Sequence, residues 1–189
     1  MPPKVKVTKQ DIIDTALALI REGGASTLNA RGIAAALNCS TQPIFSNFAN
    51  MDELQEAVKV AAYAHYLTFL QSETERGEYP QYKAMGMAYI RFAKEEKELF
   101  RLLFMCDRAG KELVPTADFR ASVEIIMQTN GLSREEAELM HMEMWTCVHG
   151  IAAMLATSFF APEWELISQM LTDVYHGIRA RHTLKEGEQ

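Results

Sequence analysis

Between residues 30 and 48, three positions constrain the backbone more than any others. Ala34, Asn38 and Ile44 stand at the fifth, ninth and fifteenth places counted from Ala30. A small residue at Ala34 lets two short helices cross closely, Asn38 tolerates the positive φ that turns the chain, and Ile44 plugs the angle between the helices. Asn29 is placed to cap the first helix and Ser40 or Thr41 the second, while Pro43 falls in the second helix's first turn, where its missing N–H does no harm. Ile44, Phe45 and Phe48 are expected to anchor this second helix.

The flanking sequence continues the helical pattern. A helix opening near Thr8 sets Ile12, Ile13, Ala16, Leu17 and Ile20 on one stripe and ends at Gly23-Gly24, a pair suited to a left-handed cap. Asn50-Met51-Asp52-Glu53 reads as a capping box for a long helix reaching about Thr74, with Leu54, Val58, Ala61, Ala62, Tyr66 and Phe69 turned inward. Further helical segments are expected at 81–95, 97–106, 115–129, 133–160 and 163–182, punctuated by Pro115, Gly131 and Pro162, with Ser133-Arg134-Glu135-Glu136 as a second capping box. With 48% apolar residues in 189, and no run alternating long enough for a half-buried strand, the chain is expected to be all-α and globular rather than disordered. The division expected is a three-helix head over 1–50 and a helical bundle over 51–189, with residues 185–189 frayed.

Several classes of function are disfavoured. The longest apolar stretch, residues 150–161, falls well short of the ~20 residues a membrane span needs. The start, Met-Pro-Pro-Lys-Val-Lys, has no apolar segment behind it, and Cys39, Cys106 and Cys147 make an odd set at no metal-ligand spacing. A cytoplasmic protein with reduced thiols, no membrane association, no metal and no cofactor is the expectation. Neither a G-x-S-x-G elbow nor an HExxH pair nor a glycine-rich phosphate loop is present, which argues against an enzyme.

Charge is distributed unevenly around a net −6. In residues 1–50, Lys4, Lys6, Lys9, Arg21 and Arg31 outnumber Asp11, Asp14 and Glu22, whereas the remaining chain is strongly acidic. A small basic head on an acidic body is expected where only the head approaches a polyanion. The second short helix projects Thr41, Gln42 and Asn47 away from the core, and a helix of this kind fits the major groove of DNA with its first residues at the base edges.

Together with the first helix, the run Arg31-Gly32-Ile33-Ala34-Ala35-Ala36-Leu37 and the run from Ser40-Thr41-Gln42-Pro43-Ile44-Phe45 through Asn47-Phe48 to Asn50-Met51-Asp52-Glu53-Leu54 resemble the DNA-binding head of the TetR/AcrR repressor family. The resemblance covers about residues 8–60. It implies a double-stranded DNA operator contacted through Lys6, Thr27, Arg31, Ser40, Thr41, Gln42, Pro43, Phe45 and Asn47. Gln42 is the preferred base reader, because a carboxamide bonds adenine N6 and N7 together; Thr27 and Arg31 serve as phosphate-positioning groups. This chain has Phe45 where the family usually has Tyr, and Met51 where it usually has Lys, so two phosphate contacts are lost and Lys4, Lys6 and Lys9 are candidates to replace them. A helical interaction module whose head no longer binds DNA is the alternative reading.

In the body, Trp145-Thr146-Cys147-Val148-His149-Gly150 and the earlier aromatic run look like the "WHG" type of TetR C-terminal region. The resemblance implies an unidentified small-molecule effector, with Tyr89, Phe92, Phe104, Met144, Trp145 and His149 as candidate pocket residues, and a homodimer through the last two long helices. Those helices carry more apolar side chains than one face buries, among them Met154, Phe159, Trp164, Met170 and Val174. Gly150, inside a helix, is read as permitting close approach. A homodimeric repressor released from a palindromic operator by its effector is the function expected.

Overall fold

The computed structural model describes residues 7–107 and 116–185, with side chains as far as Arg181. Lys4, Lys6, Pro115 and residues 186–189 lie outside the described residues. Nine α-helices and one 3₁₀ turn are found among them, and no strand: α1 Lys9–Gly23, the turn Ala25–Thr27, α2 Ala30–Ala36, α3 Gln42–Asn47, α4 Met51–Thr74, α5 Gln81–Glu95, α6 Lys97–Phe104, α7 Ala117–Asn130, α8 Arg134–Ala156 and α9 Trp164–Lys185. The all-α expectation holds. Among the described residues no helix is long and apolar enough to cross a membrane.

Local hydrogen bonding explains where the helices start. Thr8 caps α1 by accepting from the Asp11 amide, while the Asp11 carboxylate accepts from the Thr8 amide. Asn29 caps α2 through Gly32 N–H, and Ser133 forms the same reciprocal box with Glu136 at α8. At α4 the box is displaced by one residue: Asn50 accepts from the Glu53 amide, but Glu53 reaches back to the amide of Ala49. Such pairs satisfy amides that the helix itself leaves without acceptors.

Three expectations about the helices need correction. Gly24 has φ 78 but ψ 176, so α1 does not end in the left-handed cap anticipated. The pair matters for another reason: a Cβ on Gly23 would lie 2.5 Å from the Thr27 methyl, so only glycine admits that close approach. Thr41 precedes α3 without a capping side-chain bond, its backbone already helical. The segment expected to run to residue 160 stops at Ala156, because Ser158 turns the chain with φ 55.

Compactness divides the chain into two units, 1–68 with 96–106, and 69–95 with 107–189. In the first, α1 packs on α2, α3 and α6, burying Ile12, Ala16, Ile20, Ile33, Ile44, Phe48, Leu99 and Phe100. The N-terminal part of α4 adds Leu54, Val58, Ala62 and Tyr66 to the buried set. In the second, α5 lies against α7, α8 and α9, and α8 touches both α7 and α9. Val123, Ile126, Ala137 and Met140 form a core cluster there, lined by Tyr82, Phe119 and Tyr175.

Candidate nucleic-acid interface and effector region

The reentrant turn between α2 and α3 takes the shape its residues dictate. Asn38 adopts φ 50, Ala34 is buried at the crossing, and the Cys39 amide donates to the Ala34 carbonyl at 2.9 Å. Ile44 and Phe48 seat α3 by their full burial. Phe45 does not: 49% of it is exposed, so the anchor of three residues expected from the sequence is an anchor of two. A six-residue helix offers one inward face, and the i and i+4 positions fill it.

Lys9 braces the arrangement from α1. Its Nζ stands 3.3 Å from Glu53 Oε1 and 4.6 Å from the Phe48 ring centroid. The amide of Ala49, followed by Lys9, holds the Glu53 carboxyl below the usual carboxylate range.

The head residues named from the sequence fall into two groups. Arg31, Ser40 and Gln42 are exposed and Thr41 is half-buried, and the side chains of all four make no hydrogen bond or ion pair among the described residues. Phe45 has no ring partner among them either. Thr27 and Asn47 are engaged internally. The Thr27 hydroxyl lies 3.0 Å from the Leu19 carbonyl and 2.7 Å from that of Gly24, and the Asn47 amide donates to the carbonyls of Pro43 at 2.8 Å and Val7 at 3.5 Å. Pro43 is half-buried in the first turn, and Lys6 lies outside the described residues. The structure thus brings Arg31, Ser40, Thr41, Gln42 and Phe45 together around α2 and α3 with their side chains unpartnered, while Thr27 and Asn47 hold the backbone beside them.

In the second unit two tyrosine–histidine pairs join α5 to α8. Tyr89 Oη lies 2.9 Å from His149 Nδ1, and Tyr82 Oη lies 3.0 Å from His141 Nδ1. Burial pushes both tyrosine hydroxyls well above their ordinary range. It also lowers His149, and takes His141 down to about 4, against the opposing charge of Asp118. All four groups therefore stay neutral near pH 7 and offer hydrogen bonds without charge.

Among the pocket candidates, Tyr89, Phe92 and Met144 are buried, and the Phe92 ring meets Phe69 edge-on at 5.4 Å. His149 is half-buried, with the Trp145 indole stacked on it at 4.9 Å and 18°. Trp145 itself is 40% exposed. Phe104 belongs to the first unit, where its ring stands edge-on to Tyr66 at 5.1 Å and 5.2 Å from Phe100. Among the described residues no group of three or more His, Cys, Asp or Glu is placed to hold a metal ion.

One face of the second unit is more apolar than its exposure would suggest. Leu139 and Met142 are exposed on the side of α8 that also carries Trp145 and Gly150, and Leu166 is exposed at the start of α9. A Cβ added at Gly150 or at Gly177 would meet nothing within 4 Å. Exposed large apolar side chains recurring at three-residue steps were the available signal.

Comparison with known proteins agrees with this architecture. Residues 82–174 match the family model described as "Tetracyclin repressor-like, C-terminal domain". The chain is 21% identical over 156 residues to the uncharacterized HTH-type transcriptional regulator Rv0681 of Mycobacterium tuberculosis, covering 80% of this chain and 72% of that one. The fold is similar to a TetR-like transcriptional regulator from Rhodococcus sp. RHA1, with a TM-score of 0.63 at 14% identity over 92% of this chain and 96% of that one. It is also similar to the multidrug binding protein EbrR complexed with imidazole, with a TM-score of 0.56 at 16% identity over 88% of each chain.

Proposed function

We propose that the chain, whose residues 82–174 match the tetracyclin repressor-like C-terminal domain, is a TetR-family transcription regulator that acts as a homodimeric repressor, released from a palindromic operator when a small molecule enters its second unit. The observation that carries the reading is the outward face of α2 and α3. Arg31 on α2, Ser40 and Thr41 in the turn, and Gln42 on α3 present polar groups with no partner among the described residues, beside a helix locked in place by Ile44 and Phe48. Polar side chains held ready on a rigid support suit base-edge and phosphate contacts.

One head spans only a few base pairs, whereas two heads about one DNA turn apart, ~34–36 Å, read a palindrome. The exposed apolar side of α8, with Leu139, Met142 and Trp145, together with Leu166 on α9, supplies the surface for a second copy. An isologous contact of this kind closes at two chains.

The effector region draws on Tyr89, Phe92, Met144 and His149. Neutral hydrogen-bonding pairs inside an apolar surround suit an uncharged, largely apolar molecule, and the resemblance to EbrR, which is named as binding drugs, supports a small-molecule ligand. Because α4 is one continuous helix from Met51 to Thr74, a ligand that prefers the arrangement unfit for DNA lowers operator affinity through it, by ~1–3 kcal/mol in typical allosteric systems.

The test is selection of genomic fragments by the full chain, followed by binding measurements over a range of salt. Symmetric half-sites and affinity falling steeply with salt support the reading. Failure to prefer any sequence overturns it.

A further inference from the structure

The face that α3 turns outward is chemically mixed. Ser46 donates its hydroxyl to the Gln42 carbonyl at 2.9 Å, and Asn47 donates to Pro43 and Val7. Of the exposed side chains on this helix, that leaves the Gln42 carboxamide and, three residues on, the Phe45 ring for an outside partner. The ring has no aromatic or cationic neighbour among the described residues, unlike Phe48, which has Lys9 above it. A half-exposed phenyl group beside a base-reading carboxamide needs an apolar surface to cover it if binding is to remove it from water. Along the edges of the major groove the apolar group that protrudes is the C5 methyl of thymine, among hydrogen-bond donors and acceptors.

We infer that Phe45 is a specificity-determining residue, its ring packing on a thymine C5 methyl in each operator half-site, next to the base read by Gln42. The inference rests on the DNA-binding reading and deepens it. Side chains at i and i+3 have Cβ atoms about 5–6 Å apart, against about 3.4 Å between successive bases on a strand. The thymine therefore lies one or two base pairs from the position of Gln42. Each half-site should carry a thymine that no hydrogen-bond donor or acceptor of the protein explains.

The experiment uses an operator fragment selected by the full chain, with each dT replaced in turn by dU, which removes the methyl and preserves pairing. Removal of one buried methyl should weaken the wild-type protein ~4-fold per half-site, and ~15-fold when both symmetric positions are changed. Phe45→Ala should bind the unmodified operator more weakly and be indifferent to that dU, while Phe45→Leu, which keeps an apolar side chain, should retain part of the discrimination. Unfolding curves of both variants matching the wild type exclude a folding defect. If every dU is neutral for the wild type, or if the dU penalty persists in full in Phe45→Ala, the ring lies elsewhere and the inference is overturned while the regulator reading stands. Absence of sequence-preferring binding by the wild type overturns both.

Discussion

Arg21 on α1 grips both carboxylate oxygens of Glu96, Nε to Oε2 at 2.9 Å and Nη2 to Oε1 at 3.1 Å, and His65 on α4 approaches Oε1 at 3.0 Å. Glu96 is the residue on which α5 hands over to α6. One carboxylate thus ties α1, α4 and the start of α6 within the first unit. Since a carboxylate only accepts, the histidine nitrogen facing it carries the proton.

Arg21→Ala should lower the stability of the chain by about 1 kcal/mol, the scale of a partly exposed bidentate pair, read as a shift in the denaturant midpoint. Burial alone would raise the Glu96 carboxyl, yet the hydrogen bonds from Arg21 and His65 hold it below its ordinary 4.5. A depressed carboxyl stabilises the fold above its unfolded value and loses that contribution as the pH falls through its folded value. Acid should therefore cost the wild type more than it costs Arg21→Ala, and parallel pH profiles for the two would refute the tie.

Much of this was legible beforehand because the signals are local. Thr8, Asn29 and Ser133 announce helix starts through bonds spanning three residues, and Asn38 announces the turn by its tolerance of positive φ. What escaped depends on tertiary surroundings. Phe45 reads by its hydrophobicity as an anchor of α3, although the family resemblance set it among the DNA contacts, and a helix of six residues has no periodicity to decide between the two. On α8 both sides are apolar, Met140, Met144 and Val148 facing in and Leu139, Met142 and Trp145 facing out, so pattern alone could not tell which side was buried. Phe104 was grouped with residues of the body for its aromaticity, but it follows α6 into the first unit.

His141 should make the second unit sensitive to mild acid. It is 8% exposed, paired with Tyr82 and set edge-on to Phe119 at 4.8 Å. Burial lowers it from 6.5 to about 4 despite the charge of Asp118. Between these values the unfolded chain binds a proton that the folded chain does not, so stability is full above pH 6.5 and declines toward pH 4, by up to about 3 kcal/mol. His141→Gln retains a hydrogen-bonding group that does not titrate. Its denaturant midpoints between pH 7 and 4 should fall less steeply than those of the wild type.

Gly150→Leu separates the stability of one chain from the assembly of two. A Cβ there meets nothing within 4 Å, and leucine is the better helix former by roughly 1 kcal/mol. The variant should fold at least as well as the wild type. If the exposed side of α8 is where a second copy packs, the added bulk holds the helices apart, and sedimentation should show monomer at concentrations where the wild type is dimeric. An unchanged dimer would place the interface elsewhere.

Arg31 and Gln42 should fail differently when truncated. Arg31 is exposed at the start of α2 and unpaired among the described residues, and the proposed reading gives its guanidinium a phosphate rather than a base. Arg31→Ala should weaken binding to every sequence alike and flatten the salt dependence by about one counterion per subunit. Gln42 occupies the first turn of α3, and in the proposed reading its carboxamide discriminates adenine through two hydrogen bonds worth ~1–3 kcal/mol per half-site. Gln42→Ala should leave the salt slope intact and relax the preference at one base pair of each half-site. The two results are read from the same titrations, with operator and scrambled DNA at several salt concentrations. If Gln42→Ala lost operator and scrambled DNA equally, the carboxamide would be touching the backbone, and the base preference would have to come from another residue of the face.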